Sequence, residues 1–235
     1  MLAMKGQRFT KVLILDVGNT SVDACLFEKN ELIFLGKFTH EKVEELKGDY
    51  DKVYIASVKP SLNSALSEVF KNADFITHEC VPLRSSFDTR KVGIDRLLNL
   101  YGALSFYSDN ALVVSSGTAL VLDALVDGVF EGGFISLGLS GKLRCLSERA
   151  ELVPYINLEK VQEVFLGRDT KSALLGGVIK EAKSFIKAVL EELKTRYFKE
   201  FSLIITGGDG WLLEDLGTYD PLLLHKAILR IYKLL

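Results

Sequence analysis

The sequence predicts an α/β fold made of two duplicated βββαβα domains with mixed sheets, and three observations carry that prediction. LILDVGNTSVDACLF near the start and LVVSSGTALVLDALV near the middle follow one pattern: an apolar run, a small polar turn containing glycine, and a second apolar run. Gly18 and Gly117, the glycines of those turns, stand almost half the chain apart. Each unit is then followed by alternating helical and strand patterns rather than by further hairpins. The 235 residues are enough for one large domain or two moderate ones. The internal similarity favours two, over 1–109 and 110–235, with the boundary in Tyr107-Ser108-Asp109-Asn110.

In the first half, Lys11 to Leu15 reads as a strand, Asp16 to Thr20 as a turn and Ser21 to Phe27 as a second strand. Glu28-Lys29-Asn30 turns the chain into a third strand, Leu32 to Phe38. A short polar helix over Glu41 to Lys47 and a strand over Lys52 to Ser57 follow. Pro60, suited to a first helical turn, opens a helix to about Phe70, and a strand lies near Asp74 to Thr77. An apolar helix starts at Asp95 and runs through Leu100 and Leu104.

The second half repeats the opening. Ala111 to Val114 is a strand, Ser115 to Thr118 a turn and Leu120 to Val126 a strand; Asp127-Gly128, a favoured hairpin pair, leads into a third strand at Val129. Asp169 or Thr170 can cap a long helix whose apolar face is read as Leu174, Val178, Phe185, Val189 and Leu193. Gly176-Gly177 inside that helix implies a close backbone approach, such as to another subunit. Ser202 to Thr206 is a short strand ending in Gly207-Gly208-Asp209-Gly210, and Pro221 to Leu235 reads as a final amphipathic helix.

Composition narrows the function classes. The formal charge is -2, from 29 basic and 31 acidic residues, and no basic stripe stands out, which argues against nucleic acid as the main partner. No apolar run approaches the roughly 20 residues that span a membrane. The N-terminal stretch has no signal-peptide pattern. Cys25, Cys80 and Cys145 are widely spaced and form no CxxC pair, which fits reduced thiols in a cytoplasmic protein.

Three stretches can carry chemistry. In the turns, Gly18 and Gly117 allow close approach of the backbone to a ligand, and adjacent N–H groups with the Thr20 or Thr118 hydroxyl can hold phosphate oxygens. Asp16 has the wrong sign for direct phosphate contact and the right sign for a magnesium ion riding on phosphates, usually through water; the bland alternative is an ordinary β-turn. In Gly93-Ile94-Asp95-Arg96, Asp95 can accept a proton from a substrate hydroxyl while Arg96 holds an anion; a charge set against the helix dipole is the simpler reading. The Gly207-Gly208 turn after a short strand can support the flat face of a nucleotide base.

Together these pieces resemble the type III pantothenate kinases, within the acetate kinase/sugar kinase/Hsp70/actin superfamily of ribonuclease H-like, actin-like ATPase folds. The matching motifs are DVGNT (Asp16, Val17, Gly18, Asn19, Thr20), SVKP from Ser57 to Pro60, GIDR from Gly93 to Arg96 and SGTA from Ser116 to Ala119. GGFISLGL from Gly132 to Leu139, the helix start at Thr170 and TGG from Thr206 to Gly208 extend the likeness over most of the chain. The resemblance implies ATP-dependent phosphorylation of pantothenate, the first step of coenzyme A synthesis, by a cytoplasmic homodimer. ATP phosphates would sit between the DVGNT turn and Gly117-Thr118, with magnesium near Asp16. Asp95 would be the proton acceptor, and Gly93, Ile94, Arg96 and Thr170 would line the pantothenate site, Thr170 across or near a dimer interface.

Two positions depart from the family pattern. Ser115 stands where an aspartate usually helps hold an activating potassium or ammonium ion, and a neutral hydroxyl supplies no such charge. Phe87 is the nearest candidate for a tyrosine that packs on pantothenate. A non-catalytic regulatory relative and a sugar kinase of the same superfamily are the rival readings. Retention of Asp16 and Asp95 argues against the first, and the short chain against the second.

Overall fold

The computed structural model describes residues 10–159 and 165–235; residues 1–9, part of the stretch read as lacking a signal peptide, lie outside them. One compact unit comprises the residues up to Pro82, Thr89–Gly102 and Leu224–Leu235. Its strands Lys11–Val17 (β1), Val22–Glu28 (β2) and Glu31–Phe38 (β3) form an antiparallel meander. A short 3-10 helix, His40–Leu46, leads to Lys52–Ser57 (β4), parallel to β1. A further 3-10 turn, Pro60–Leu62, runs into helix Asn63–Val69 (α1), so the stretch read as one helix is split in two. Ala73–Phe75 (β5) completes the sheet, in the order β3-β2-β1-β4-β5.

β1 is central, and it is covered on both faces: Val12, Leu13, Ile14 and Leu15 have no solvent exposure. Such a strand reads as an unbroken apolar run rather than an alternation. On one face Leu13, Leu15, Val17, Val53 and Ile55 pack with Val43, Leu46, Leu66 and Phe70 from the helical segments. The meander is closed by Lys29 and Asn30, both at positive φ (53° and 65°), as a two-residue hairpin turn requires.

The second unit comprises Leu83–Asp88 and Ala103–Leu223. It begins with a two-residue strand, Arg84–Ser85 (β6); helix Ile94–Phe106 (α2) belongs to the first unit as far as Gly102. Ala111–Ser116 (β7), Ala119–Val126 (β8) and Val129–Leu137 (β9) form the second meander, again turned by a positive-φ pair, Asp127 and Gly128. Helices Leu139–Arg149 (α3) and Thr170–Tyr197 (α4) follow, then Ser202–Thr206 (β10), parallel to β7, and Thr218–Tyr219 (β11). The order β11-β10-β7-β8-β9-β6 contains the same five-strand arrangement as the first sheet, with β6 added beside β9. Duplication is therefore visible in topology as well as in the two hairpin sequences.

Helix Leu223–Ile231 (α5), shorter than the predicted 221–235, returns the chain to the first unit from Leu224 on. Tyr232, just beyond it, stacks on Tyr54 of β4 at 3.9 Å between ring centroids. Both units are thus discontinuous in sequence, whereas the sequence reading placed one boundary after Asp109. Two further differences have local causes. α3 is an element the sequence reading did not anticipate, because its only apolar signal is Leu139, Leu143 and Leu146, with Gly138 as an uncapped start. On α4 the fully buried positions are Leu175 and Ile186, with Val178, Ala182 and Val189 nearly so; Leu174, Phe185 and Leu193 lie at the margin of the core. Val178 and Val189 belong to both faces, so the observed face is turned by less than one position from the predicted one, toward Leu175 and Ile186. Space beside Gly177 is open within the chain, so no close approach to that glycine occurs there.

This rotation can be tested. Leu175→Ala should cost about 2–5 kcal/mol in chemical denaturation, and Leu174→Ala distinctly less. Equal costs would restore the face read from the sequence.

Candidate functional site

In the first unit, Asp16 is the penultimate residue of β1, opposite Asp23 of β2 and beside Ala56 of β4. The run of buried apolar residues before it carries its half-buried carboxylate to the end of the sheet. Burial, followed by the nearby Asp95 and Asp23 carboxylates, pushes its pKa up to about 8, with Lys37 opposing. Lys37 reaches Asp23 at 3.5 Å. Val17 is fully buried in the core, so only its backbone can meet a ligand. The Gly18 N–H closes the turn by donating to the Ser21 carbonyl at 2.9 Å, and a Cβ there would sit 3.3 Å from that oxygen. Asn19 and Thr20 are exposed at the tip.

Asp95 stands in the first turn of α2, far from Asp16 in sequence yet close enough to repel its negative charge. Burial raises the Asp95 pKa, while the Arg96 N–H and guanidinium oppose the rise. A carboxylate with raised proton affinity and a cation beside it is of the type that general-base chemistry uses. A Cβ built on Gly93 would overlap Asp95 Oδ1, so a side chain there would displace that carboxylate. Ile94 is buried and serves packing. The loop before α2 is pinned by His78 Nε2, which hydrogen-bonds the Val92 carbonyl at 2.8 Å.

The second unit brings together turns of its own. Ser115 and Ser116 belong to β7 rather than to the turn, and Ser115 pairs with Thr206 of β10. The Gly117 N–H donates to the Ala119 carbonyl at 3.0 Å, and Thr118 is exposed. Gly138, at the start of α3, donates to the Thr118 carbonyl at 3.1 Å; a Cβ on it would overlap the Gly117 carbonyl and lie 2.8 Å from that of Thr118. Gly207, at φ +88°, faces the Ser116 backbone so closely that a Cβ would come within 2.8 Å of the Ser116 nitrogen. The Asp209 N–H donates to the Ser116 carbonyl at 2.9 Å, and Ser140 Oγ donates to Asp209 Oδ2 at 3.2 Å. The Gly117 turn, the start of α3 and the Gly207-Gly208 turn therefore converge, and backbone dominates the surface they make.

The remaining sequence candidates lie outside that convergence. Thr170 is exposed as the first residue of α4, behind an Asp169 cap whose side chain accepts from the Ser172 N–H at 2.9 Å. Phe87, 42% exposed, packs on Phe130 with ring centroids 4.9 Å apart. A groove of about 660 Å³ in the second unit, lined by Leu112, Leu122, Phe134, Val189 and Arg196 among others, holds none of the predicted site residues. Sequence reasoning assigned no role to His40, Lys59, Gly138 or Ser140. For Lys59 the signal was available, as a lysine inside the SVKP motif.

A sequence model of the type III pantothenate kinase family matches residues 12–192. The type III pantothenate kinase of Aquifex aeolicus is 39% identical over 221 residues, covering 93% of this chain and 95% of that protein. That of Borrelia hermsii is 33% identical, covering 88% of this chain and 86% of its own. Among solved structures, a Campylobacter jejuni protein described as a candidate Baf family transcriptional activator superposes with a TM-score of 0.68 at 22% identity, over 94% of this chain and 97% of that one. The ethanolamine utilization protein EutJ of Carboxydothermus hydrogenoformans superposes with a TM-score of 0.52 at 11% identity, over 97% and 84%. Both structural likenesses concern the fold alone.

The Asp16 environment has a measurable consequence. Between pH 3.8 and about 8 the native metal-free protein holds a proton on Asp16 that the unfolded chain has released. Its stability should therefore fall as pH rises through that window, by on the order of a few kcal/mol, and should be full and independent of this group at lower pH, where both states are protonated. Denaturant titrations should show the slope reduced in Asp16→Asn; an unchanged slope would reject the assignment.

Proposed function

This chain belongs to the type III pantothenate kinase family, and on that footing we propose that it transfers the terminal phosphoryl group of ATP to the primary hydroxyl of pantothenate, the opening step of coenzyme A synthesis. The observation that carries the reading is the meeting of Asp16 and Asp95 in one electrostatic environment beside the Gly18 turn. Phosphoryl transfer asks a protein mainly for positioning and charge neutralisation, and these groups divide that work.

Asp95 accepts the hydroxyl proton as the alcohol oxygen attacks, and Arg96 holds the pantothenate carboxylate. Gly93 leaves room for the Asp95 carboxylate. The exposed Asn19 and Thr20 take phosphate oxygens, as does Thr118 in the second unit, while Gly207 and Gly208 support the adenine side. Thr170 and Phe87 are assigned to pantothenate. Asp16 fits a magnesium ion: its carboxylate is disfavoured by burial and by two neighbouring acids, so a cation relieves it. Among the described residues no group of three or more acidic, histidine or cysteine side chains is arranged to hold a metal. Held by Asp16, such an ion would neutralise charge on the transferring group. The neutral Ser115 does not fit a potassium or ammonium site in the same way.

The homodimer expected for the family is supported by Phe134, Ile135 and Leu137, which expose 52%, 63% and 47% of their surface along β9. No helix among the described residues is long and apolar enough to cross a membrane.

An ADP-release assay with pantothenate tests the function directly. Asp95→Asn should fold normally by circular dichroism and lose turnover by roughly 10²-fold or more; near wild-type turnover would remove the role given to Asp95. The same assay in sodium, then in potassium or ammonium, should show turnover without stimulation by the latter ions. Ser115→Asp should introduce stimulation, and strong stimulation of the wild type would overturn the reading of Ser115.

A further inference from the structure

We propose that Lys59 is a phosphate-positioning residue of the first turn, supplying through Gly18-Asn19 a positive charge that draws the polyphosphate of ATP onto it. The inference rests on the reading of ATP as substrate. It goes beyond that reading in assigning a role to a side chain outside the DVGNT and GIDR motifs.

The placement of Lys59 is set by the sheet. Ser57, the last residue of β4, lies beside Val17 in parallel register, and the Val58 N–H donates to the Val17 carbonyl at 3.0 Å. The Lys59 N–H then donates to Ser57 Oγ at 3.2 Å, and Pro60 fixes the chain beyond. From this anchored backbone the half-buried side chain reaches under the turn, where Nζ donates to the Asn19 carbonyl at 3.2 Å. Nζ also lies 3.2 Å from His40 Nδ1, and His40 Nε2 lies 3.0 Å from the Gly18 carbonyl.

An ammonium group can only donate. Nδ1 of His40 must therefore accept, which leaves the proton on Nε2 to be donated to Gly18. The hydrogen-bond network thus fixes one neutral tautomer, and both turn carbonyls that follow Asp16 and the buried Val17 are engaged. Carbonyl oxygens facing an incoming polyphosphate would repel it; here they are turned onto donors, one of which is a full cation. Glu41, next to His40, is exposed; hydrogen bonds from its own backbone and the Thr39 side chain hold its carboxyl below the ordinary range, with smaller help from His40 and Lys59. Around the turn, burial makes the carboxylates of Asp16, Asp23 and Asp95 all hold protons more tightly than usual. Lys37 is committed to Asp23. A highly charged anion entering this neighbourhood needs a cation tied to the turn itself, and Lys59 is placed to provide it.

The test compares Lys59→Met, Lys59→Gln and Lys59→Arg with the wild type, using magnesium-ATP titrations by calorimetry and steady-state kinetics with pantothenate. Lys59→Met should raise the dissociation constant and KM for magnesium-ATP by about tenfold, with adenosine binding and the KM for pantothenate within about twofold of wild type. Arginine should restore most of the loss. Glutamine, which can still donate to the Asn19 carbonyl, should not, because it carries no charge. Glutamine performing as well as arginine, or methionine matching the wild type, would overturn the proposal while leaving the kinase reading intact. A wild type that neither binds magnesium-ATP nor turns over would take down both.

Discussion

A carboxylate held at the end of a strand that is buried on both faces is the constraint from which the chemistry of this protein follows. β1 lies at the centre of its sheet, and the four residues before Asp16 have no contact with solvent. The strand fixes where the acid stands, and burial makes its charge costly. Every feature nearby addresses that cost or uses it. Lys37 partly offsets the Asp23 charge across the ladder, the turn closes immediately after Val17, and Asp95 arrives from α2 as a second carboxylate whose proton affinity is also raised. Carboxylates whose ionisation is this costly hold their protons in the resting protein, and a cation brought to them would favour the ionised form.

The two halves share a topology but not a charge. β3-β2-β1-β4-β5 and β9-β8-β7-β10-β11 are the same arrangement, and both meanders use a positive-φ pair to turn. The first turn is preceded by an aspartate, the second by serines that belong to the strand. In the second unit glycine does what side chains do in the first. Gly138 and Gly207 let the start of α3 and the loop after β10 close onto the Gly117 turn, where any side chain would collide with backbone. The first turn is shaped by charge and the second by close packing.

Much of this was legible in the sequence, for reasons that differ by element. β1, β4, β7 and β10 are uninterrupted apolar runs, and their limits were read within two residues. Asp16 and Gly18 stood out because an acid and a glycine interrupt such a run. Asp95 did not declare itself by composition; an acid at a helix start is commonplace, and only the fold brings it near Asp16. α3 escaped because its apolar positions are few and it has no side-chain cap. The face of α4 was misplaced because a long helix with apolar residues at both Leu174 and Leu175 does not say which one the core takes. His40 and Lys59 could not be linked from sequence, since their meeting depends on β4 lying beside β1.

The return of α5 to the first unit bears on how the protein is made. Leu224, Ala227, Ile228 and Leu229 are buried, and His225 Nε2 hydrogen-bonds the Asp23 carbonyl at 3.3 Å. A nascent chain leaving the ribosome therefore cannot finish its N-terminal half first. β1 to β5 must wait, without this last helix, while Ala103–Leu223 is translated, an interval of roughly ten seconds at ordinary elongation rates. During it the apolar surface destined for α5 is open to chaperones and to neighbouring chains. The second unit, nearly continuous in sequence, is the one placed to fold first.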